Sequence, residues 1–227
     1  MIFYASECNF RTNTYTLSEA ESKHCIKVLR NTIGNTIEII NGKGIQLTCR
    51  IVDDHYKRCK VEVISRKEHL ENPNHIHIAM AIPKSSERLE WFMEKATEIG
   101  INRLSLINCE HSERRNFNHK RLEKITITAL KQCKRYHIPI IDSAVSYEVF
   151  LNTHPKGYIG HCNPEKKIHA REINKALPFL IGPEGDFSHQ EIKKAIASGY
   201  VPIDLSNNRL RTETAALSAV FYLSNLV

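Results

Sequence analysis

Arg211-Thr-Glu-Thr-Ala-Ala216 sets a cation, two hydroxyls and a carboxylate in a row near the C-terminal end of a chain of 227 residues. Upstream of it, Phe179-Leu-Ile-Gly-Pro-Glu-Gly-Asp-Phe-Ser188 is a short apolar run that stops in a Gly/Pro loop. A strand that ends at Gly-Pro-x-Gly and resumes as a helix leaves backbone N–H groups directed outward, which is how chains hold polar or anionic small molecules. The plainer alternative is a tight strand-to-helix connection with no ligand. Ser188-His-Gln-Glu191 has the Ser-x-x-Glu spacing of a capping box, and Phe187 and Ile192 stand at hydrophobic-staple positions. A helix is therefore expected from Ser188, with the loop at the carboxyl end of a strand, where open α/β sheets bind ligands.

Other chemistries are missing from the sequence. It has no Gly-x-x-x-x-Gly-Lys-Ser/Thr phosphate loop, no Gly-x-Gly-x-x-Gly fingerprint, no Gly-x-Ser-x-Gly elbow and no His-Glu-x-x-His helix. His75 and His77 face one side of an expected strand, but without a third ligand they read as surface or packed histidines and no metal site is expected. The seven cysteines are scattered and never in Cys-x-x-Cys spacing, so reduced thiols are expected. With no apolar run of membrane length and no signal-peptide layout in residues 1–10, a cytoplasmic chain without a membrane partner is expected.

The formal net charge is +7, and residues 111–137 hold eight Lys or Arg against Glu113 and Glu123. Such a focused field favours a polyanion, the plain alternative being a solvated helix face.

The elements that must position these residues fall into two parts, with a boundary expected around Glu71-Asn-Pro-Asn74. Residues 1–72 read mainly as strands. Residues 36–40 and 45–52 flank the Asn41-Gly-Lys-Gly44 turn, and residues 58–64 alternate again. Ser18-Glu-Ala-Glu21 has capping-box spacing and starts a helix that carries Lys23, Lys27 and Arg30. In residues 73–227, strands are expected at 76–82, 104–108, 138–142, 157–162, 179–182 and 201–205. Between them, Leu89, Phe92, Met93, Ala96 and Ile99 share one helical stripe, and Leu122, Ile125, Ala129, Cys133 and Tyr136 another. Such alternation gives an α/β domain with a mostly parallel sheet. Residues 212–227 are apolar almost all round, which calls either for a core position or for a subunit interface.

Leu180-Ile-Gly-Pro-Glu-Gly185 followed by Glu191, together with Leu205-Ser-Asn-Asn-Arg-Leu-Arg-Thr-Glu-Thr-Ala215, resembles the signature of the RsmE family of ribosomal RNA small-subunit methyltransferases. His24-Cys-Ile-Lys-Val-Leu-Arg30, Glu94-Lys-Ala-Thr-Glu-Ile-Gly100, Gln132 and Arg135 resemble further parts of it, so the likeness runs along nearly the whole chain. The resemblance implies an N-terminal PUA-like β-barrel (1–72) and a C-terminal SPOUT α/β domain with a trefoil knot (73–227). It also implies a homodimer and S-adenosylmethionine as cofactor. The implied reaction is methylation of uracil N3 in 16S ribosomal RNA of the small ribosomal subunit, near the decoding site.

On that basis Gly182, Pro183, Glu184 and Gly185 would shape the cofactor loop. Leu180, Leu205, Ser206 and Leu210 would complete its walls. Arg211 would stabilise charge on the uracil or grip a phosphate, and Glu213 is a conceivable base, with a capping or ion-pair role as its alternative. Lys23, Lys27 and Arg30 in the first domain, and Arg114, Arg115 and Arg135 in the second, are the expected RNA contacts. The chain departs from the usual pattern at Asp186, where a second glycine is common, at Ser206, and at Arg209. A non-catalytic RNA-binding or ribosome-assembly factor on the same fold is the alternative function; a small-molecule enzyme would leave the basic stretch without a purpose.

Overall fold

The computed structural model describes residues 1–71, 75–163 and 166–226. The expected boundary falls largely on residues 72–74, which lie outside the described residues, as does residue 227 at the end of the last expected helix.

Met1–Glu71 form one compact unit together with Leu130–Ile138, and residues 72–129 and 139–227 form a second. In the first unit, β1 (Ile2–Tyr4) runs parallel to β3 (Thr36–Ile40). β3 pairs antiparallel with β4 (Ile45–Asp53), β4 with β5 (Lys60–Glu68), and β5 with β2 (Thr14–Thr16). Inward positions alternate along the strands, so Ile37, Ile39, Leu47, Cys49, Ile51 and Val61 are buried in one cluster with Phe3. The helix α1 (Glu19–Lys23) is capped by the Ser18 side chain, which accepts from Glu21 N. The Glu21 carboxylate turns instead to Lys131 Nζ at 2.8 Å, so only half of the expected capping box forms.

Residues 130–138, expected in the second part, pack instead on the hairpin of the first unit. Leu130 is buried with Ile2 and Ile40, and Tyr4, Tyr136 and Ile138 pack against them. Tyr136 O accepts from Gly44 N, and Ile138 N donates to Gly42 O, both at 2.9 Å. Gly42 and Gly44 have the positive φ expected of the turn. They also have no room for a side chain, because a Cβ at Gly42 would lie 3.2 Å from Ile138 and one at Gly44 would lie 2.6 Å from His69 O.

The second unit is built on a sheet of parallel strands, as the alternating pattern requires. The strands are β6 (His77–Ala81), β7 (Arg103–Asn108), β8 (Ile140–Ile141), β9 (Val145–Ser146), β10 (Gly157–Gly160), β11 (Ile168–His169), β12 (Phe179–Ile181) and β13 (Tyr200–Asp204). Their order is β11-β13-β10-β12-β6-β7-β8, with β9 also on β7. The helices are α2 (Ser86–Ile99), α3 (His119–Gln132), α4 (Tyr147–Thr153), α5 (His189–Ala197) and α6 (Thr212–Ser224). β8 is shorter than the expected 138–142 because Ile138 is taken by the first unit. α3 ends at Gln132, before Cys133 and Tyr136 of its expected stripe, and Lys134 adopts φ +56°.

β6 and β12 are buried on both faces, as a sheet covered on two sides demands. On one face α6 buries Ala216, Ala219, Val220 and Leu223 in the cluster that holds Leu89, Phe92, Met93 and Ala96 of α2 and Met80 of β6. The small residues of α6 let the two helices approach closely. Phe221 of α6 remains 57% exposed.

Candidate functional site

The loops leaving the carboxyl ends of β10, β12 and β13, with the first turn of α6 and Arg88 of α2, line an open cavity of about 920 Å³ within the second unit. That is the size range of small-molecule and cofactor sites.

The loop after β12 is shaped by its own backbone. Asp186 N donates to Pro183 O at 2.9 Å, closing a turn, and Asp186 itself adopts φ +65°. A glycine would take this conformation freely; aspartate tolerates it because its carboxylate finds local donors. Asp186 Oδ1 accepts from Phe187 N and Oδ2 from Cys162 N, both at 2.8 Å, so the departure at 186 fastens the β12 loop to the β10 loop. At Gly182 a Cβ would lie 3.1 Å from the Phe187 ring and 3.2 Å from its backbone nitrogen, so the glycine permits the tight return. Beyond the loop, α5 begins with a complete capping box: Ser188 N donates to Glu191 Oε2 at 2.9 Å, and Glu191 N to Ser188 Oγ at 3.3 Å. Glu191 Oε1 accepts from Glu110 N at 2.9 Å.

The third loop organises itself through side chains. Ser206 N donates to Asp204 Oδ1, and Asn208 N to Ser206 Oγ at 3.1 Å, two successive local turns. Ser206 is thus a loop former. Arg209 Nη2 reaches Glu184 O at 3.4 Å, and Thr212 Oγ1 donates to Gly182 O at 3.2 Å. The two segments singled out by sequence are therefore joined directly.

Of the expected cofactor residues, Gly182, Pro183, Glu184, Leu205, Ser206 and Leu210 line the cavity, and so does Arg211. Leu180, expected as an apolar wall, is fully buried in the cluster on the opposite face of the sheet. Side chains alternate along a strand, so Ile181, its neighbour, takes the wall position. Gly185 turns away from the cavity and lies against His111, whose Cβ would be 3.1 Å from a Cβ at 185. Glu213 is buried beside the cavity but does not line it.

The electrostatics centre on Arg88. Its Nη1 lies 3.8 Å from Glu184 Oε1 and its Nε 3.6 Å from Glu213 Oε1. Among the described residues, Glu213 Oε2 is buried without a hydrogen-bond partner. Lys167 Nζ donates to His161 O at 2.6 Å, and both residues line the cavity. The Cys162 thiol, also on the wall, is pushed above its usual pKa by burial and then by Asp186, so it stays protonated and unsuited to nucleophilic attack. Arg88, Cys162 and Lys167 enter the site from segments outside the two signature stretches, whereas Asp186 and Arg209 lie within those stretches, at positions where the chain departs from the usual pattern.

The expected RNA contacts differ in availability. Lys23, Lys27, Arg30 and Arg115 are exposed. Lys23 is paired with Glu19 at 2.9 Å, and Lys27 Nζ sits 4.8 Å above the Tyr56 ring. Arg114 is half-buried, with Nε donating to Asn116 O. Arg135 is half-buried in the first unit rather than the second, and burial lowers its pKa. No group of metal-ligating side chains is found among the described residues, and no helix there is long and apolar enough to cross a membrane.

A parallel α/β domain with this cavity has counterparts among known proteins, and residues 70–224 match the family described as RNA methyltransferase domain. A ribosomal RNA small subunit methyltransferase E of Buchnera aphidicola is 32% identical, the match covering 93% of this chain and 88% of that protein. A probable rRNA-methyltransferase of Porphyromonas gingivalis superposes with a TM-score of 0.89 at 32% identity, over 99% of this chain and 97% of that one. The ribosomal RNA small subunit methyltransferase E of Neisseria gonorrhoeae, bound to S-adenosyl methionine, gives 0.85 at 26% identity, over 96% and 94%. The chain belongs to this RNA methyltransferase family, in its ribosomal RNA small subunit methyltransferase E branch.

Proposed function

We propose that this protein transfers a methyl group from S-adenosylmethionine to N3 of a uracil in 16S ribosomal RNA, near the decoding site. The observation that carries the reading is the three-loop cavity bridged by the Thr212–Gly182 hydrogen bond. Its walls suit the cofactor: Leu205, Leu210 and Ile181 offer apolar surface, and the tight return at Gly182 brings backbone close to a ligand. Bound there, S-adenosylmethionine would supply an activated methyl group: once the N3 proton has passed to water, the N3 lone pair would form the N–C bond as the C–S bond breaks, leaving a neutral thioether. The protein's share is alignment and compensation of charge on the uracil. Arg211, exposed on the rim, suits a phosphate or a uracil carbonyl.

The same reading takes the five-stranded sheet of the first unit as a PUA-like RNA-binding barrel. It takes the segment 205–212 as part of a trefoil knot, a reading supported by the bonds of Arg209 and Thr212 to the 182–185 loop. It also makes the protein a cytoplasmic homodimer that covers Phe221. Lys23, Lys27, Arg30, Arg114 and Arg115 would then meet RNA phosphates, with Arg135 a weaker participant for its burial.

The test is incubation with labelled cofactor and unmodified small ribosomal subunits, followed by mapping of the methylated nucleotide. Label at a single uracil N3 is the expected result. Absent transfer, with no cofactor binding by calorimetry, would leave a non-catalytic RNA-binding factor.

A further inference from the structure

We propose that Arg88 is the catalytic cation of this site and that Glu213 is its positioning residue, an assignment that rests on the methyltransferase reading above. Three observations lead to it. Arg88 lines the cavity and Glu213 does not, so the buried carboxylate meets the cavity through the guanidinium in front of it. The guanidinium is held from two sides, by Glu184 of the β12 loop and by Glu213 of the first turn of α6, while its own backbone belongs to α2. It thereby stands within ion-pair reach of both of the segments that build the site. Both separations, 3.8 and 3.6 Å, are ion-pair distances longer than a hydrogen bond, so the planar fork of N–H donors is oriented without being used up.

The chemistry of the uracil fits such a fork. N3 lies between two carbonyl groups, and when its proton is lost the negative charge spreads over N3 and both oxygens. A planar guanidinium compensates that charge by paired N–H donation to neighbouring acceptors, which an ammonium cannot match in geometry. A carboxylate in contact with the same anion would repel it, which argues against Glu213 as the group that touches the base. Glu213 has the opposite use. Its Oε1 faces Arg88, and its unpartnered Oε2 leaves the charge undivided for that cation. Arg88 neither takes nor gives a proton, so the atom and electron balance of the transfer is unaltered.

The experiment compares the unchanged protein with Arg88→Ala, Arg88→Lys, Glu213→Gln and the Arg88→Ala/Glu213→Gln double variant. Single-turnover methylation of unmodified small subunits is measured at saturating cofactor, and S-adenosylmethionine affinity by calorimetry, which also reports that each variant is folded. Arg88→Ala should slow the single-turnover step about a hundredfold, the scale for losing one preorganised donor, with cofactor affinity changed less than about threefold. Arg88→Lys should recover roughly a tenth of the lost rate or more, and Glu213→Gln should fall between the two arginine variants. The double variant should be no slower than Arg88→Ala, because Glu213 acts through Arg88. Multiplying defects in the double variant, or a Glu213→Gln protein slower than Arg88→Ala, would show an independent role for Glu213 and overturn the assignment. So would an Arg88→Ala protein that loses cofactor affinity more than about tenfold yet keeps its rate at saturation, since Arg88 would then be a cofactor ligand. If the unchanged protein transfers no label, the methyltransferase reading falls and this one with it; an active protein with an equally active Arg88→Ala variant removes this assignment alone.

Discussion

Asp186 carries, in one side chain, work that a glycine would do by backbone freedom alone. Its αL conformation is tolerable for aspartate, and its two carboxylate oxygens tie Phe187 and Cys162 to the loop. Asp186→Ala keeps the strain and loses both bonds, so a loss of about 1–3 kcal/mol is expected, read as a fall in thermal midpoint of several degrees. Asp186→Gly relieves the strain and should fall less. Gly182→Ala is a different fault: the new methyl meets the Phe187 ring and backbone, and cofactor affinity measured by calorimetry should weaken by about tenfold or more while the fold survives. Residue-scale features of this kind were legible in the sequence where they depend on intrinsic backbone preference, as with Asp186. Leu180 was misread because a wall position depends on strand parity, which one residue of register reverses. Arg88 was out of reach, since nothing in its own neighbourhood signals a partner on α6.

At the scale of elements, the start of α5 was readable because a capping box and staple are local rules of three to five residues. The structure adds a second task for Glu191, whose Oε1 accepts from Glu110 N and so holds the end of β7 to the start of α5. Ser188→Ala should therefore cost about 1 kcal/mol, a lost cap. Glu191→Ala should cost more, about 2–3 kcal/mol, because it also removes the buried carboxylate that accepts from Glu110 N; urea denaturation of the two variants gives the comparison. The ends of α3 and β8 were misjudged for the converse reason. Their apolar pattern continues through Tyr136 and Ile138, but those residues answer to Gly42, Gly44 and Tyr4, far away in the chain, and pattern alone does not show which surface a stripe will meet.

For the molecule as a whole, acid sensitivity is built into the second unit. His77 Nε2 pairs with Ser105 Oγ at 2.8 Å, Ser105 Oγ donates to Asp142, and Arg103 grips Asp142 at 2.8 and 3.0 Å. Burial lowers the His77 pKa to about 3, with His154 and Arg103 adding to the effect. Burial alone would raise Asp142, yet Arg103 and Ser105 hold it below its usual range. An unfolded histidine binds its proton near pH 6.5, so between that value and about 3 the unfolded state holds the extra proton and stability falls as pH falls. The loss should approach about 1.4 kcal/mol per pH unit, or about 2 kcal/mol on going from pH 6.5 to pH 5. Urea midpoints across that range measure it, and His77→Asn should flatten the slope even where it lowers stability at pH 7. The return of Leu130–Ile138 to the first unit bears on the timing of biosynthesis. On the translating ribosome the N-terminal unit emerges first yet lacks the strip that covers Ile2 and Ile40 until residue 138 has left the exit tunnel. The nascent chain therefore cannot complete its units one after the other, and a chain released at residue 71 would expose an apolar seam where a longer one has a sealed surface.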